Sequence, residues 1–343
     1  MEVSPTPRQT AKGLLNGVAL PRPLFLPIVF SLGAKVENVS LDAFLLNPTK
    51  ISGFLRQMRN HLRADGVACY FDPYLEVEAL GATLERISDE RAPTIHWPRA
   101  VRTGELPEGL RSPEEAVRSG RIPMAAEVLR RMNALPNREF LLMAGVAGPW
   151  TLAARITQME NSETLRMEDI TAAALELAAS VVTETASSFL EAGADMIFIQ
   201  EEILPVLSAE RCDAWANLLA PTINVVRFYE AIPVLLFPPA PISHQNWELI
   251  CGQHWGCVSC LPAEVLMSRL REGLTATGEI PFGVALPLEV FRSEGDGDKT
   301  TVQDLQELIP NLRPSIITTV GDVRVTTEMK QLIKVFEGVR GAV

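Results

Sequence analysis

The sequence predicts an α/β protein, a single (β/α)8 TIM barrel, and three observations support this fold class. Eight short apolar segments, rich in Val, Ile, Leu or Phe and closed by Pro, Gly, Asp or Glu, recur along the 343 residues. Helical patterns lie between most of them, as in parallel strands joined by right-handed crossovers. The loop after the first segment, residues 31–35, lacks the glycine-rich phosphate fingerprint that would favour an open, doubly wound sheet.

Each apolar segment is too short for a typical helix, so we assign all of them as buried strands. The predicted strands are residues 23–30, 66–72, 140–149, 194–201, 232–238, 256–262, 281–287 and 315–322. Amphipathic helical patterns and helix start signals fill most of the intervening chain. The predicted helices are residues 41–63, 167–192, 208–229, 262–273, 301–309 and 326–338.

The whole chain, residues 1–343, is predicted to be one domain. Residues 85–132 are long and charged and contain five prolines. We interpret this stretch as an insertion after the second strand, which is either a lid over the barrel rim or a surface excursion without function. Active sites of such barrels lie at the carboxyl ends of the strands, so an insertion at that end would stand beside the site.

Composition excludes several classes of protein. The net charge of −11 and the lack of a basic block argue against binding to nucleic acid or to an anionic membrane. No apolar run approaches the roughly 20 residues that span a bilayer, and the first residues lack a signal-peptide pattern. Five irregularly spaced cysteines suggest a reduced compartment. We therefore expect a cytoplasmic protein with a small-molecule substrate, and a homodimer is compatible with the sequence.

The spacing Cys251-x2-His254-x2-Cys257-x2-Cys260 resembles a metal site. Cys257 and Cys260 lie three residues apart on a predicted strand, where side chains alternate between faces, so they point in opposite directions. Cys251 and His254 precede this strand, at the end of the barrel away from the chemistry. We predict no metal here, and we expect Cys260 to face the barrel near its top and contact substrate.

Several stretches, taken together, resemble the uroporphyrinogen decarboxylase superfamily. Residues 6–9 look like its entry segment, and residues 65–72 followed by 79–81 resemble its second strand with a terminal Asp. Residues 192–195 through 200–202 look like its fourth strand. The most specific match is the third-strand loop, Gly145-Val146-Ala147-Gly148-Pro149-Trp150-Thr151-Leu152-Ala153. The resemblance covers almost the whole chain and implies one of two chemistries: decarboxylation of tetrapyrrole acetate groups, or methyl transfer involving a corrinoid.

The decarboxylase alternative rests on Asp72, which the resemblance implies would hold the pyrrole N–H groups. Those relatives also use two arginines after the first strand to bind substrate carboxylates, for which guanidinium groups are suited. Residues 30–35 here contain no arginine and one lysine, Lys35. The family's His near the last strand is also missing, since Thr318-Thr319-Val320-Gly321-Asp322 occupies that place. A uroporphyrinogen-type decarboxylase of tetrapyrrole biosynthesis is therefore the alternative and not the first hypothesis.

The zinc site of thiol-activating methyltransferases is not expected either. These relatives carry His-x-Cys at the end of the fifth strand and a Cys near the end of the eighth. The corresponding places here hold Phe237 and Pro239, and the eighth strand ends near Gly321. Zinc binding through the family motif is therefore not predicted.

The first hypothesis is a corrinoid-linked methyltransferase of one-carbon metabolism, acting on a small methylated substrate or methyl acceptor. A methylcobalamin-type corrinoid would arrive on a separate carrier protein. A carboxylate in an apolar pocket has a raised pKa and can protonate a leaving ether or amine. The expected catalytic residues are Asp72, Glu201 and His244, and the expected substrate-binding residues are Tyr70, Trp150, Gln200, Phe237 and Cys260. A non-catalytic barrel that binds a tetrapyrrole or corrinoid is a further alternative.

Overall fold

The structure is a computed structural model of the chain. It describes residues 5–15, 20–88, 91–99, 103–159, 169–203, 208–237, 249–250, 256–271, 281–292 and 302–341. None of the helices in these ranges is long and apolar enough to cross a membrane.

Eight parallel strands form a nearly closed barrel, which confirms the predicted fold class. The strands of the described ranges are β1 Leu24–Phe25, β2 Gly66–Tyr70, β3 Thr83–Glu85, β4 Thr94–His96, β5 Leu141–Ala147, β6 Met196–Gln200, β7 Ile232–Leu236, β8 Val258–Pro262, β9 Phe282–Leu286 and β10 Ile316–Thr319. Going around the barrel, the hydrogen-bonded order is β1-β10-β9-β8-β7-β6-β5-β2, and a separate antiparallel hairpin pairs β3 with β4. Each predicted strand segment contains one of the barrel strands.

Helices surround the barrel and fill the connections between strands. In the described ranges they are α1 Pro7–Leu15, α2 Leu32–Val36, α3 Leu41–Leu45, α4 Pro48–Leu62, α5 Leu75–Ala79, α6 Pro113–Ala116, α7 Ile122–Asn133, α8 Pro149–Ile156, α9 Ala172–Glu191, α10 Ala209–Phe228, α11 Ala263–Arg271, α12 Val302–Leu312 and α13 Met329–Arg340, with a 3-10 turn at Leu288–Phe291. Ser112 begins α6 with a capping box to Glu115.

The seam between β1 and β2 is closed by Asp65 and not by a strand ladder. The Asp65 N–H donates to the Phe25 carbonyl at 2.9 Å, and the Phe25 N–H donates to Asp65 Oδ2 at 2.8 Å. Arg22 holds the same carboxylate with two hydrogen bonds, of 2.6 and 2.8 Å. This bidentate pair fixes the first strand against the second at the amino-terminal end of the barrel.

Residues 85–132, predicted as an insertion, contain more than one kind of structure. They span the end of the β3–β4 hairpin, the short helix α6 and the longer helix α7. Helix α7 packs against β2, α4 and α9, as one of the barrel's own surrounding helices does. Whether the hairpin part acts as a lid stays a prediction.

Two contacts define which strand face points into the barrel. A Cβ added at Gly145 would come within 2.6 Å of Gln200 Nε2 and 2.8 Å of the Phe71 ring, so these residues share the interior. On the opposite face, Phe25 packs edge-on against Phe336 of α13, with the ring centroids 5.2 Å apart. Side chains alternate along a strand, so every second residue of each strand faces the helices.

Candidate active site

Asp72 lies just beyond β2, at the carboxyl end of the barrel, and its charge is compensated. The side chain is 6% exposed, and Oδ1 accepts the Tyr74 N–H at 2.9 Å. The other oxygen forms an ion pair with Arg121, a residue just before α7. Arg121 also donates from Nε to Glu78 Oε2 at 2.6 Å. One guanidinium therefore serves two carboxylates, and Asp72 is held in place as a fixed anion.

Glu76, in the short helix α5, is a fully buried acid beside the end of β5. Its Oε1 accepts the Ala147 N–H at 3.1 Å, beyond the point where β2 stops pairing with β5. Its Oε2 has no partner within the described ranges. Burial raises the pKa of Glu76 from 4.5 to about 7, although backbone hydrogen bonds and Arg155 oppose the rise and Asp72 adds to it. The carboxyl therefore holds a proton near neutral pH.

Asp322 follows β10 and is a second acid whose pKa is raised to about 7. Its two oxygens accept the N–H groups of Phe30 and Ser31, each at 2.7 Å, so it ties the eighth barrel strand to the loop after the first. Burial raises the pKa of Asp322 from 3.8 to about 7, although the hydrogen bonds from Phe30 and Ser31 oppose the rise and the charge of Asp72 adds to it. The same charge acts on Glu76, so the three acids belong to one electrostatic group at the rim.

Two basic side chains at this end, besides Arg121, are also engaged by carboxylates. Arg155, 3% exposed in α8, pairs with Glu202 and donates to the Pro73 carbonyl at 2.5 Å. Lys35, the one cation of the loop after β1, pairs with Glu328 at 2.6 Å. Arg121, Arg155 and Lys35 are thus each already in an ion pair with a carboxylate of the chain.

Glu201 lies at the same end of the barrel but points outward, toward the helices. Its oxygens accept the N–H groups of Trp150 and Thr151 at 3.2 and 2.9 Å, the Thr151 hydroxyl at 2.7 Å and Trp215 Nε1 at 3.0 Å. Burial raises the pKa of Glu201, and these four hydrogen bonds oppose that rise. The carboxylate thus caps α8 and joins it to α10.

The expectation that Asp72 and Glu201 supply acids to one cavity stays a prediction, although Glu201 turns toward the helices. Gln200 faces the interior, so strand alternation sends Glu201 to the helix side. Phe237 is also fully buried on that side, with its ring 5.9 Å from the Trp215 ring, and it does not wall the barrel mouth.

The predicted role of Tyr70 in binding substrate stays a prediction. Its hydroxyl donates to the Leu45 carbonyl in α3 at 3.1 Å, and its ring packs 4.9 Å from Phe30. The β2–β5 register shifts between Ala68 and Tyr70, and this irregularity turns Tyr70 outward and Phe71 inward. Burial raises the pKa of the Tyr70 hydroxyl. The Tyr70 hydroxyl also interacts with Arg121, so it lies beside the group of Asp72 and Glu78.

Two residues predicted to contact substrate do face the interior. Gln200 ends β6 and is 5% exposed, and its Nε2 has no partner in the described part of the chain. Cys260 points to the same space, since a Cβ at Gly283 would come within 2.4 Å of its sulfur. Burial raises the pKa of Cys260, so the thiol is an apolar wall and not a nucleophile.

Three further predictions are left open. Trp150 is fully buried in the first turn of α8, and its role as a pocket wall stays a prediction. His244 lies outside the described residues, as do Cys251 and His254. Within the described ranges, no three His, Cys, Asp or Glu side chains are arranged to hold a metal ion.

Sequence reasoning missed Glu76, Asp322 and Arg121. Asp322 was noted only as part of the segment that replaces a family His. Glu76 follows Asp72 by four residues, and a carboxylate that close to a strand end was an available signal. Arg121 lies 49 residues from Asp72 in sequence, and no local pattern indicates their pairing.

The fold and this rim define the class: a (β/α)8 barrel of enzyme type with buried acids at the carboxyl ends of its strands. The chain belongs to the uroporphyrinogen decarboxylase (URO-D) family, whose model matches residues 6–258. A comparison with curated protein sequences finds no match.

Solved structures are similar to this chain at low sequence identity. A methyltransferase from Methanosarcina mazei superposes with a TM-score of 0.75 at 14% identity, covering 99% of this chain and 98% of that one. A B12-independent methionine synthase from Shewanella sp. W3-18-1 gives 0.47 at 10% identity and 88% coverage of each chain. A β-L-arabinopyranosidase from Geobacillus stearothermophilus gives 0.43 at 10% identity, covering 99% of this chain and 79% of that one. The similarity to the Methanosarcina structure establishes the fold alone.

Proposed function

We propose that the protein is a methyltransferase of one-carbon metabolism that moves a methyl group between a small uncharged compound and a corrinoid. The corrinoid is carried by a separate protein that docks at the carboxyl end of the barrel. The whole-chain similarity to a structure named as a methyltransferase supports this choice within the URO-D family. Fold similarity does not select a reaction, so the proposal rests on the charges at the rim.

The observation that carries the proposal is the pairing of the rim cations. Arg121 is used by Asp72 and Glu78, and Arg155 is used by Glu202. A tetrapyrrole with several carboxylate side chains needs unpaired guanidinium or ammonium groups. It would also meet the negative charge of Asp72. An uncharged methyl compound avoids this repulsion, and so does a corrinoid, whose rim carries neutral amides.

We propose that Asp322, which follows β10 at this end of the barrel, assists such a reaction as an acid. A corrinoid supplies a cobalt centre that exchanges a methyl group. Loss of a methyl group from an ether or amine is easier when the leaving oxygen or nitrogen receives a proton. With a pKa of about 7, Asp322 holds a proton that it can donate near neutral pH. Asp72, fixed by Arg121, orients polar groups and keeps the neighbouring acids protonated.

The test is an assay of the purified chain with cob(I)alamin and a series of methyl ethers, methanol and dimethyl sulfide, followed by the absorbance of methylcobalamin. We expect methylation of the corrinoid by at least one neutral compound. D322N should lower the rate by about 10²-fold, as loss of an acid catalyst does. E202Q, which alters a paired carboxylate at the same rim, is the matched control and should retain most of the rate.

A second candidate, decarboxylation of a tetrapyrrole, is favoured by the family match and by the place of Asp72 after the second strand. Uroporphyrinogen is therefore included in the assay. Turnover of uroporphyrinogen without methyl transfer would replace the proposal by this candidate. Binding of corrinoid with no turnover of any compound would indicate a non-catalytic carrier.

A further inference from the structure

Two buried hydrogen-bonding groups inside the barrel have no partner in the described ranges. They are the amide nitrogen of Gln200 and the hydroxyl of Thr318, and the two residues are 5% and 0% exposed. A buried polar group without a hydrogen bond destabilises the folded state, and proteins retain few of them. Two such groups at the carboxyl end of one barrel therefore indicate a place where a ligand can supply the missing hydrogen bonds.

Both side chains point into the same space from opposite sides of the barrel. Gln200 ends β6, and its amide nitrogen lies against Gly145, where a Cβ would approach it to 2.6 Å. Ile316 shares the interior face with Cys260 and Gly283, and Thr318 follows Ile316 by two residues on β10. Gln200 and Thr318 thus lie at the carboxyl ends of the fourth and eighth barrel strands.

The next residue on the strand, Thr319, differs from Thr318 in that its hydroxyl has hydrogen-bond partners. Thr319 is also fully buried, but it faces the other way, and its hydroxyl is fully used. It donates to the Gly321 carbonyl at 2.6 Å and accepts the Ile28 N–H at 3.1 Å. The structure therefore satisfies the outward hydroxyl of this pair and leaves the inward one unsatisfied.

We infer that Gln200 and Thr318 form a substrate-anchoring pair inside the barrel mouth, which binds an uncharged compound through its oxygen or sulfur lone pairs. The amide N–H and the hydroxyl each donate to the compound, and neither brings a charge that would select a carboxylate. The inference rests on the proposed function for the statement that the anchored compound carries the methyl group. Glu76 Oε2, buried beside β5, is a third unpartnered atom near this space.

The first test needs no ligand. T318V and Q200M replace unsatisfied polar groups by apolar groups of similar size, and each should raise Tm by roughly 2 °C or more. T319V, the matched control, removes two hydrogen bonds of the same buried strand and should lower Tm. A fall of Tm in T318V or Q200M, or no change, would show that the fold itself satisfies these atoms and would overturn the inference.

The second test separates this inference from the proposed function. Saturation-transfer NMR with methanol, dimethyl sulfide and methoxybenzene, and acetate as the anionic comparison, measures binding directly. We expect T318V and Q200M to weaken binding of the neutral probes by roughly tenfold each and leave acetate unbound. Binding that depends on both residues without any methyl transfer would retain the anchoring pair and reject the reaction. Methyl transfer at unchanged KM in both variants, or no binding of any neutral probe, would reject the anchoring pair.

Discussion

Replacing Glu76 with Gln should remove one contribution to the pH dependence of stability below neutral pH, and leave that of Asp322 in place. Glu76 is fully buried, and its pKa is raised from 4.5 to about 7 by burial. Gln is close in shape to the protonated acid, and its carbonyl oxygen is able to accept the Ala147 N–H that Glu76 Oε1 now accepts. The change therefore removes the titration and keeps the contact.

The magnitude follows from the two pKa values. Between pH 4.5 and 7 the native state keeps a proton that the unfolded chain releases, so the free energy of unfolding falls as pH rises through this window. At about 1.36 kcal/mol per pKa unit, the rise to about 7 corresponds to about 3 kcal/mol lost by the wild type across the window. Above pH 7 both states are ionised, and the contribution is level.

Urea unfolding at pH 4.5, 6 and 7.5 measures the effect. We expect E76Q to match the wild type at pH 4.5 and to exceed it by up to about 3 kcal/mol at pH 7.5. E139Q, at an exposed carboxylate on the far side of β5, should leave the pH profile unchanged. Parallel profiles for E76Q and the wild type would show that Glu76 ionises normally and would refute the assignment of a protonated acid at this position.

Three other substitutions test the structural contacts. E201A leaves four buried donors without an acceptor and should lower the free energy of unfolding by about 4 kcal/mol or more. A well-folded but inactive E201A would instead indicate a catalytic role. R121M leaves the carboxylates of Asp72 and Glu78 without their cation and should lower the free energy of unfolding by about 3–5 kcal/mol. D72N leaves Arg121 paired with Glu78 and should lower it less. Equal losses in urea unfolding would contradict this order. D65N weakens the bidentate pair at the β1–β2 seam and should cost about 1–3 kcal/mol by thermal unfolding, and no loss would show that the seam is held elsewhere.

The fold was predictable because each barrel strand is buried on both faces. Such strands are continuous apolar runs, and eight of them separated by helical patterns leave few arrangements other than a barrel. The carboxyl ends of the strands then indicate the functional end without any further information. Hence Asp72, Gln200 and Glu201 were all placed correctly at one end of the barrel.

The direction of each side chain was harder to predict, for two different reasons. Gln200 and Glu201 are consecutive, so alternation alone requires that only one of them faces the interior, and the prediction of both ignored this. Tyr70 depends on the irregular pairing near Ala68, a backbone feature that has no signal in the sequence. The pairing of Arg121 with Asp72 crosses the hairpin insertion, so it depends on how that insertion folds back onto the rim.

The charge balance at the rim limits the chemistry that the site supports. Asp72 and Glu78 share one guanidinium, and burial raises the pKa of the nearby Glu76 and Asp322 to about 7. An anionic ligand would add repulsion that Arg121 and Arg155 do not relieve, since Arg121 is already shared and Arg155 is paired. A neutral ligand adds none, and in the proposed reaction a ligand atom that gains basicity would draw the proton from Asp322. The proposed site would therefore tolerate a neutral substrate before the reaction and would supply a proton when the reaction creates a base.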